Sequence, residues 1–66
     1  MDSGNDLRRA EELIAEGRRI VQQQKGRLIR LRAAGIDTWD AQTTLDLFEA
    51  NLLRFEEHRD FLKDRK

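Results

Sequence analysis

Apolar residues recur every seven positions on both sides of Gly35, and this repeat constrains the fold more than any other feature of the sequence. Before Gly35, the a and d positions of the repeat hold Leu7, Ala10, Ile14, Gly17, Val21, Gln24, Leu28 and Leu31. After it, they hold Ala41, Leu45, Phe48, Leu52, Phe55, Arg59 and Leu62. A stripe of this period is typical of helices that pack along their length, and the chain has no proline to interrupt them. The sequence therefore predicts an all-α fold with helices over about residues 5–34 and 38–63.

The short connection between the two repeats carries signals that end one helix and begin the next. Gly35 suits the left-handed C′ position of a Schellman cap, and Asp37 is placed to cap the helix that follows. Because so short a link leaves no room for a crossover, the helices are expected to be antiparallel neighbours. We interpret residues 1–66 as a single helical-hairpin domain with a flexible N-terminus over residues 1–4.

Charges flanking the repeat predict how the two helices face each other. Facing residues of an antiparallel pair have numbers with a nearly constant sum, and a turn near Ile36 sets that sum at about 73. A sum of 74 gives the pairs Glu11 with Lys63, Arg18 with Glu56, Lys25 with Glu49, and Arg32 with Gln42. A sum of 72 places large d residues opposite small ones, including Phe55 opposite Gly17. Charge and size thus favour one register, although each exposed ion pair contributes only about 0–1 kcal/mol.

The opposite flank of the predicted hairpin is largely apolar and is the predicted interface. Its candidate residues are Leu13, Ile20, Leu47, Asn51, His58 and Phe61. A domain of 66 residues has a marginal core, and without cysteine it has no disulfide to reinforce it. The sequence therefore predicts a homodimer that forms a four-helix bundle. A helix of another protein is a second candidate partner for this flank, and a merely widened helix stripe is the simplest alternative.

Gln24 is the uncharged polar side chain on the inner seam of the first helix. A polar residue at such a position can set register or oligomeric state, here through a hydrogen bond to Thr44 or to Gln24 of a second subunit. The alternative is that its aliphatic stem packs while its amide reaches water.

The sequence gives no support for catalysis, a cofactor or a metal site. His58 is the single histidine, and its neighbours on the same helix face are Phe55, Phe61, Arg54 and Leu62, none of which could act as a co-ligand or an orienting acid. The four glycines are too far apart to form a phosphate-binding loop. We therefore predict a non-enzymatic interaction or regulatory module.

The charge distribution leaves nucleic-acid binding as the alternative function. Thirteen basic residues balance thirteen acidic ones, so no net charge attracts the chain to nucleic acid or an anionic membrane. A local basic stretch nevertheless contains Arg18, Arg19, Lys25, Arg27 and Arg30. Residues 5–34 have a net charge of +4, from eight basic and four acidic residues, and residues 37–66 have a net charge of −3, from five basic and eight acidic residues. Neutralisation between the two helices is the simpler interpretation.

No segment approaches the roughly 20 consecutive apolar residues of a membrane span, and the N-terminus is polar. The sequence is therefore interpreted as a cytoplasmic protein that keeps its N-terminus and does not bind membranes.

A set of residues spread over nearly the whole chain has the same identities and spacing as in a group of known sequences. These residues are Glu16-Gly17, Ile20, Gln24, Ile29, Leu31, Gly35, Asp37-Thr38, Ala41, Leu45, Phe48-Glu49, Leu52, His58, Arg59-Asp60 and Leu62. In these positions the chain resembles small helical-hairpin proteins of alphaproteobacteria, particularly rhizobia and their relatives, whose function is unassigned. The resemblance implies a two-helix hairpin with no known cofactor and carries over no catalytic residue. Those sequences often have a second acidic residue after the glycine, whereas this chain has Arg18-Arg19, which makes its first helix more basic.

Overall fold

A computed structural model describes residues 3–64 as two helices, α1 (Ser3–Ala33) and α2 (Trp39–Asp64), packed as an antiparallel hairpin. Each helix begins and ends within two residues of the predicted bounds, so the predicted all-α hairpin is confirmed. The flexible segment expected over residues 1–4 lies partly outside the described residues, while Ser3 and Gly4 belong to α1.

The Schellman cap predicted at Gly35 ends α1. Gly35 has a φ of 73°, in the left-handed region that a side chain disfavours. Its N–H donates to the carbonyl of Arg32 at 3.0 Å, and the N–H of Ile36 donates to the carbonyl of Leu31 at 3.0 Å. These two bonds define the motif and satisfy carbonyl groups that the end of the helix would leave unpaired.

Asp37 caps α2, as predicted. Its carboxylate Oδ1 accepts a hydrogen bond from the backbone N–H of Trp39 at 3.0 Å. One residue later, the Thr38 carbonyl accepts from the N–H of Gln42 at 2.8 Å. The chain thus turns from one helix to the next within five residues, and hydrogen bonds satisfy several of the backbone groups that the two helix ends would leave unpaired.

The core is a single seam between the helices, and it is densest near the turn. Its buried residues among those described all occupy predicted a or d positions: Ala10, Ile14, Val21, Leu28, Ala41 and Leu45. Leu31, Phe48 and Leu52 pack against the part of this seam nearest the turn. From Leu45 to Asp64, α2 has no further buried residue, so the open half of the hairpin is thinly packed.

The hairpin is a rod with extents of 51 × 14 × 14 Å and a radius of gyration of 15.3 Å. A compact domain of this length would have a radius of gyration of about 11 Å. The chain exposes 5319 Å², whereas a compact monomer of 7.8 kDa exposes about 4,400 Å². One hairpin therefore leaves more surface in water than its mass requires.

Replacing Gly35 with valine should destabilise the hairpin by about 1 kcal/mol or more, because a β-branched residue strains a left-handed backbone. Nothing lies within 4 Å of the Cβ that would be added, so the loss would come from the backbone alone. Asp37→Ala should cost about 1 kcal/mol more through the lost cap. Urea unfolding at one fixed protein concentration measures both changes.

Gly26→Ala is the control for these measurements. Its added Cβ would lie 3.5 Å from the nearest atom, the Nη1 of Arg30, which is an ordinary contact. The variant should be more stable by up to about 1 kcal/mol, because alanine favours a helix interior. If Gly35→Val unfolded at the same urea concentration as the wild type, the left-handed cap would not be what ends α1.

Candidate interaction surface

Ion pairs between the helices close one side of the seam, which we call the charged flank (residues 18, 25, 32, 42, 49 and 56). Arg18 Nη2 lies 3.2 Å from Glu56 Oε2, and Lys25 Nζ lies 4.0 Å from Glu49 Oε2. Both pairs were predicted from the constant sum of residue numbers and are confirmed. The four side chains remain partly or largely exposed, so these pairs contribute to register more than to stability.

The two ends of the charged flank differ. Near the turn, Arg32 donates a hydrogen bond to the Oε1 of Gln42 at 3.3 Å, as the register predicted. At the open end, the predicted pair of Glu11 with Lys63 is not among the ion pairs of the described residues. The pairing therefore holds from the turn to Glu56 and is lost near the helix ends.

Gly17 makes room for a large side chain, but mainly for a different one from that predicted. A Cβ added at Gly17 would lie 3.2 Å from Leu52 Cδ1 and 4.0 Å from the Phe55 ring. The d-position pairing with Phe55 is therefore only partly correct, because Leu52, one helix turn earlier, comes closer. A shared face identifies both candidates, but side-chain packing decides which is nearer.

Gln24 carries a buried polar atom without a partner. Its Oε1 is buried and accepts no hydrogen bond, so the bond to Thr44 that the sequence allowed does not form within the hairpin. An unpaired buried carbonyl oxygen has lost its water without compensation, which costs free energy. Gln24 is therefore a weak point of the seam.

Gln24→Leu should stabilise the hairpin by about 1 kcal/mol, because it removes the unpaired oxygen and keeps a side chain of similar size. Gln23→Leu, at the exposed neighbouring position, is the control and should change stability by less than about 0.5 kcal/mol. Urea unfolding with circular dichroism compares the two. A destabilised Gln24→Leu variant would mean that this oxygen is paired in solution.

The opposite side of the seam, which we call the apolar flank, consists of Leu13, Ile20, Leu47, Asn51, His58 and Phe61. The hairpin leaves Leu13 45%, Leu47 64% and Phe61 58% exposed, and it half-buries Ile20. Asn51 and His58 are also exposed. Large apolar side chains on one flank of a small chain are typical of a contact surface.

Three residues of the basic stretch are paired with carboxylates of the same chain. Arg18 and Lys25 belong to the charged flank, and Arg19 forms an ion pair with Glu16 one turn away. The hydrogen bond that the Arg19 guanidinium donates to the Glu16 carboxylate, and then the negative charge of Glu16, raise the pKa of this guanidinium. Arg27 and Arg30 are exposed and form no ion pair with the described residues.

The sequence interpretation missed a concentration of exposed apolar residues near the turn. Ile29, Ile36 and Trp39, which lie on the last turns of α1, the loop and the first turn of α2, are each more than half exposed. The predicted apolar flank includes none of these three residues. Their closeness in sequence to a five-residue turn is the signal that could have linked them.

Few of the residues that the structure describes could contribute to a metal site, a membrane-spanning segment or a ligand pocket. Residues 3–64 contain no cluster of three side chains able to hold a metal ion. Neither helix, over the same residues, has the length and apolar character needed to span a bilayer. A surface depression at the start of α1 is lined by Asn5, Asp6, Arg8, Arg9, Glu12 and Leu13, all from one helix.

Comparison of the chain with protein-family models, with curated protein sequences and with solved structures gives no match. The resemblance to alphaproteobacterial hairpin proteins therefore stays a prediction, and any functional argument depends on the geometry of the hairpin.

Proposed function

We propose that this protein is a non-enzymatic interaction module that dimerises through the apolar flank into a four-helix bundle. The observation that carries the proposal is the exposure of Leu13, Leu47 and Phe61 on one side of a seam whose other side is closed by ion pairs. A second helical layer on this flank would cover these side chains. It would also extend a core that is thin over the open half of the hairpin.

The surface area supports a second copy as the partner. Two separate hairpins each expose 5319 Å², whereas a compact protein of twice the mass exposes about 7,200 Å² in total. The difference is larger than the roughly 1,200–2,000 Å² that a stable interface buries. A dimer interface of ordinary size therefore fits on the surface that one hairpin leaves exposed.

Leu47→Asp tests the proposal, with Leu53→Asp as a matched control. Both leucines lie on α2 and are similarly exposed, at 64% and 55%. Leu47 lies four residues before Asn51 on the apolar flank, whereas Leu53 lies four residues after Glu49, next to the charged flank. We expect Leu47→Asp to raise the dimer Kd at least about tenfold, because a charge would replace a leucine that the proposed dimer buries, and Leu53→Asp to leave the Kd nearly unchanged.

Sedimentation equilibrium at micromolar concentration measures the two constants, and circular dichroism verifies that each variant keeps its helices. A wild-type chain that is fully helical and monomeric would contradict the proposal, as would equal weakening by both variants. A monomer that gains a partner from cell extract, and loses it with Ile20→Ala, would instead assign the flank to a helix of another protein.

Nucleic-acid binding is the second candidate, because Arg27 and Arg30 are exposed without ion pairs. If it occurs, the logarithm of the affinity should fall linearly with the logarithm of salt concentration, in proportion to the phosphates neutralised. Arg30→Glu should weaken binding strongly. Arg19→Glu should weaken it less, because Arg19 is already paired with Glu16. No binding at low salt, or binding indifferent to both changes, would exclude this function.

A further inference from the structure

We infer that the two copies pack antiparallel, with α1 against α1 of the partner subunit and Asp6 of each chain facing Arg27 of the partner subunit. This inference rests on the proposed homodimer and adds its orientation and register. It follows from four residues that share the side of α1 adjoining the apolar flank.

Those four residues lie seven positions apart, and their chemical types complement those of a second α1 that runs in the opposite direction. In order along α1 they are Asp6, Leu13, Ile20 and Arg27: acidic, apolar, apolar and basic. When a second α1 runs in the opposite direction with paired numbers adding to 33, Leu13 faces Ile20 of the partner subunit and Asp6 faces Arg27 of the partner subunit. The two-fold axis then passes beside Glu16 and Gly17, and each contact occurs twice.

Both charged residues of this pattern lack a side-chain partner within the described part of the hairpin. Among the described residues, neither Asp6 nor Arg27 forms an ion pair or a side-chain hydrogen bond, whereas Arg18 and Lys25 on the charged flank do. Asp6 and Arg27 are 21 residues apart on one helix, or about 32 Å, so they cannot meet within a chain. Any coupling between them must therefore act between chains.

Other arrangements pair these residues less well. A parallel dimer would bring Asp6 beside Asp6 of the partner subunit and Arg27 beside Arg27 of the partner subunit. An antiparallel dimer shifted by one heptad would place the charged Arg27 opposite the apolar Leu13 of the partner subunit. Like charges across an interface and a charge against an apolar residue are both unfavourable.

The inferred axis brings Glu16 close to Glu16 of the partner subunit, and an ion pair within each chain offsets the repulsion between these two carboxylates. Glu16 is paired with Arg19 of its own chain, so the region of the axis carries two acidic and two basic groups. The axis also lies toward the open half of the hairpin, level with about residue 56 of α2. This is the half in which α2 has no buried residue, so the second copy would add packing where the hairpin has least.

Two charge-reversed variants, Asp6→Arg and Arg27→Asp, test the orientation when they are mixed. Each homodimer would place like charges at both ends of the interface, so each should have a Kd at least about threefold above that of the wild type. In the mixed dimer, one chain carries arginine at both positions and the other carries aspartate at both. All facing charges are then opposite, so the mixed dimer should form in excess of the half expected by chance.

A mixture of Glu12→Arg with Arg27→Asp is the matched control. It reproduces the net charges of the first mixture, but Glu12 lies on a different face of α1 from Asp6. This mixture should not favour the mixed dimer. Native mass spectrometry of equimolar mixtures, with one chain isotopically labelled, measures both distributions.

The outcomes separate this inference from the proposed function. Excess mixed dimer in the first mixture alone supports the antiparallel register. A wild-type dimer that Leu47→Asp disrupts, but whose reversed variants pair at random, would keep the proposed homodimer and overturn the orientation. A monomeric wild type would overturn both.

Discussion

Two helices can bury only one stripe each, and the rest of this structure depends on that limit. Among the described residues, the stripe between α1 and α2 contains six buried residues, of which α2 supplies only Ala41 and Leu45. A seam this narrow contributes little to stability. The cap, the flanking charges and any further helical layer therefore contribute a larger share of the free energy of folding than they would in a larger domain. The extended shape of the chain has the same cause, because nothing folds back over the outer sides of the pair.

The two sides of this narrow seam are bordered by different kinds of side chain. On the charged flank, long side chains of opposite charge reach across the helix pair and fix its register, while their stems cover the edge of the core. On the apolar flank, leucine and phenylalanine reach into water instead. The first arrangement suits a permanent outer surface, and the second suits a surface that is completed by association.

Backbone features were predictable from sequence because few residues decide them. One glycine in a left-handed conformation and one aspartate fixed the turn, and the turn fixed which residues face each other, so Arg18 with Glu56 could be named in advance. Details that depend on side-chain conformation were less predictable. Neither the closer approach of Leu52 to Gly17 nor the unpaired Oε1 of Gln24 follows from a sum of residue numbers. The apolar flank was predictable as a set of residues, because its members follow from the same heptad count as the seam.

Because the turn at Gly35 sets which residues face each other, α1 and α2 can tolerate changes in length only at certain places. Residues added at the open end leave every existing pair in place, since they lie beyond the last one. A single residue inserted between Leu28 and Gly35 would rotate the whole preceding part of α1 by about 100° and turn its stripe away from α2. Even a full heptad inserted there, which keeps the stripe facing inward, would bring Arg18 opposite Lys63. Variation in length among chains built on this plan should therefore accumulate at the helix ends far from the turn.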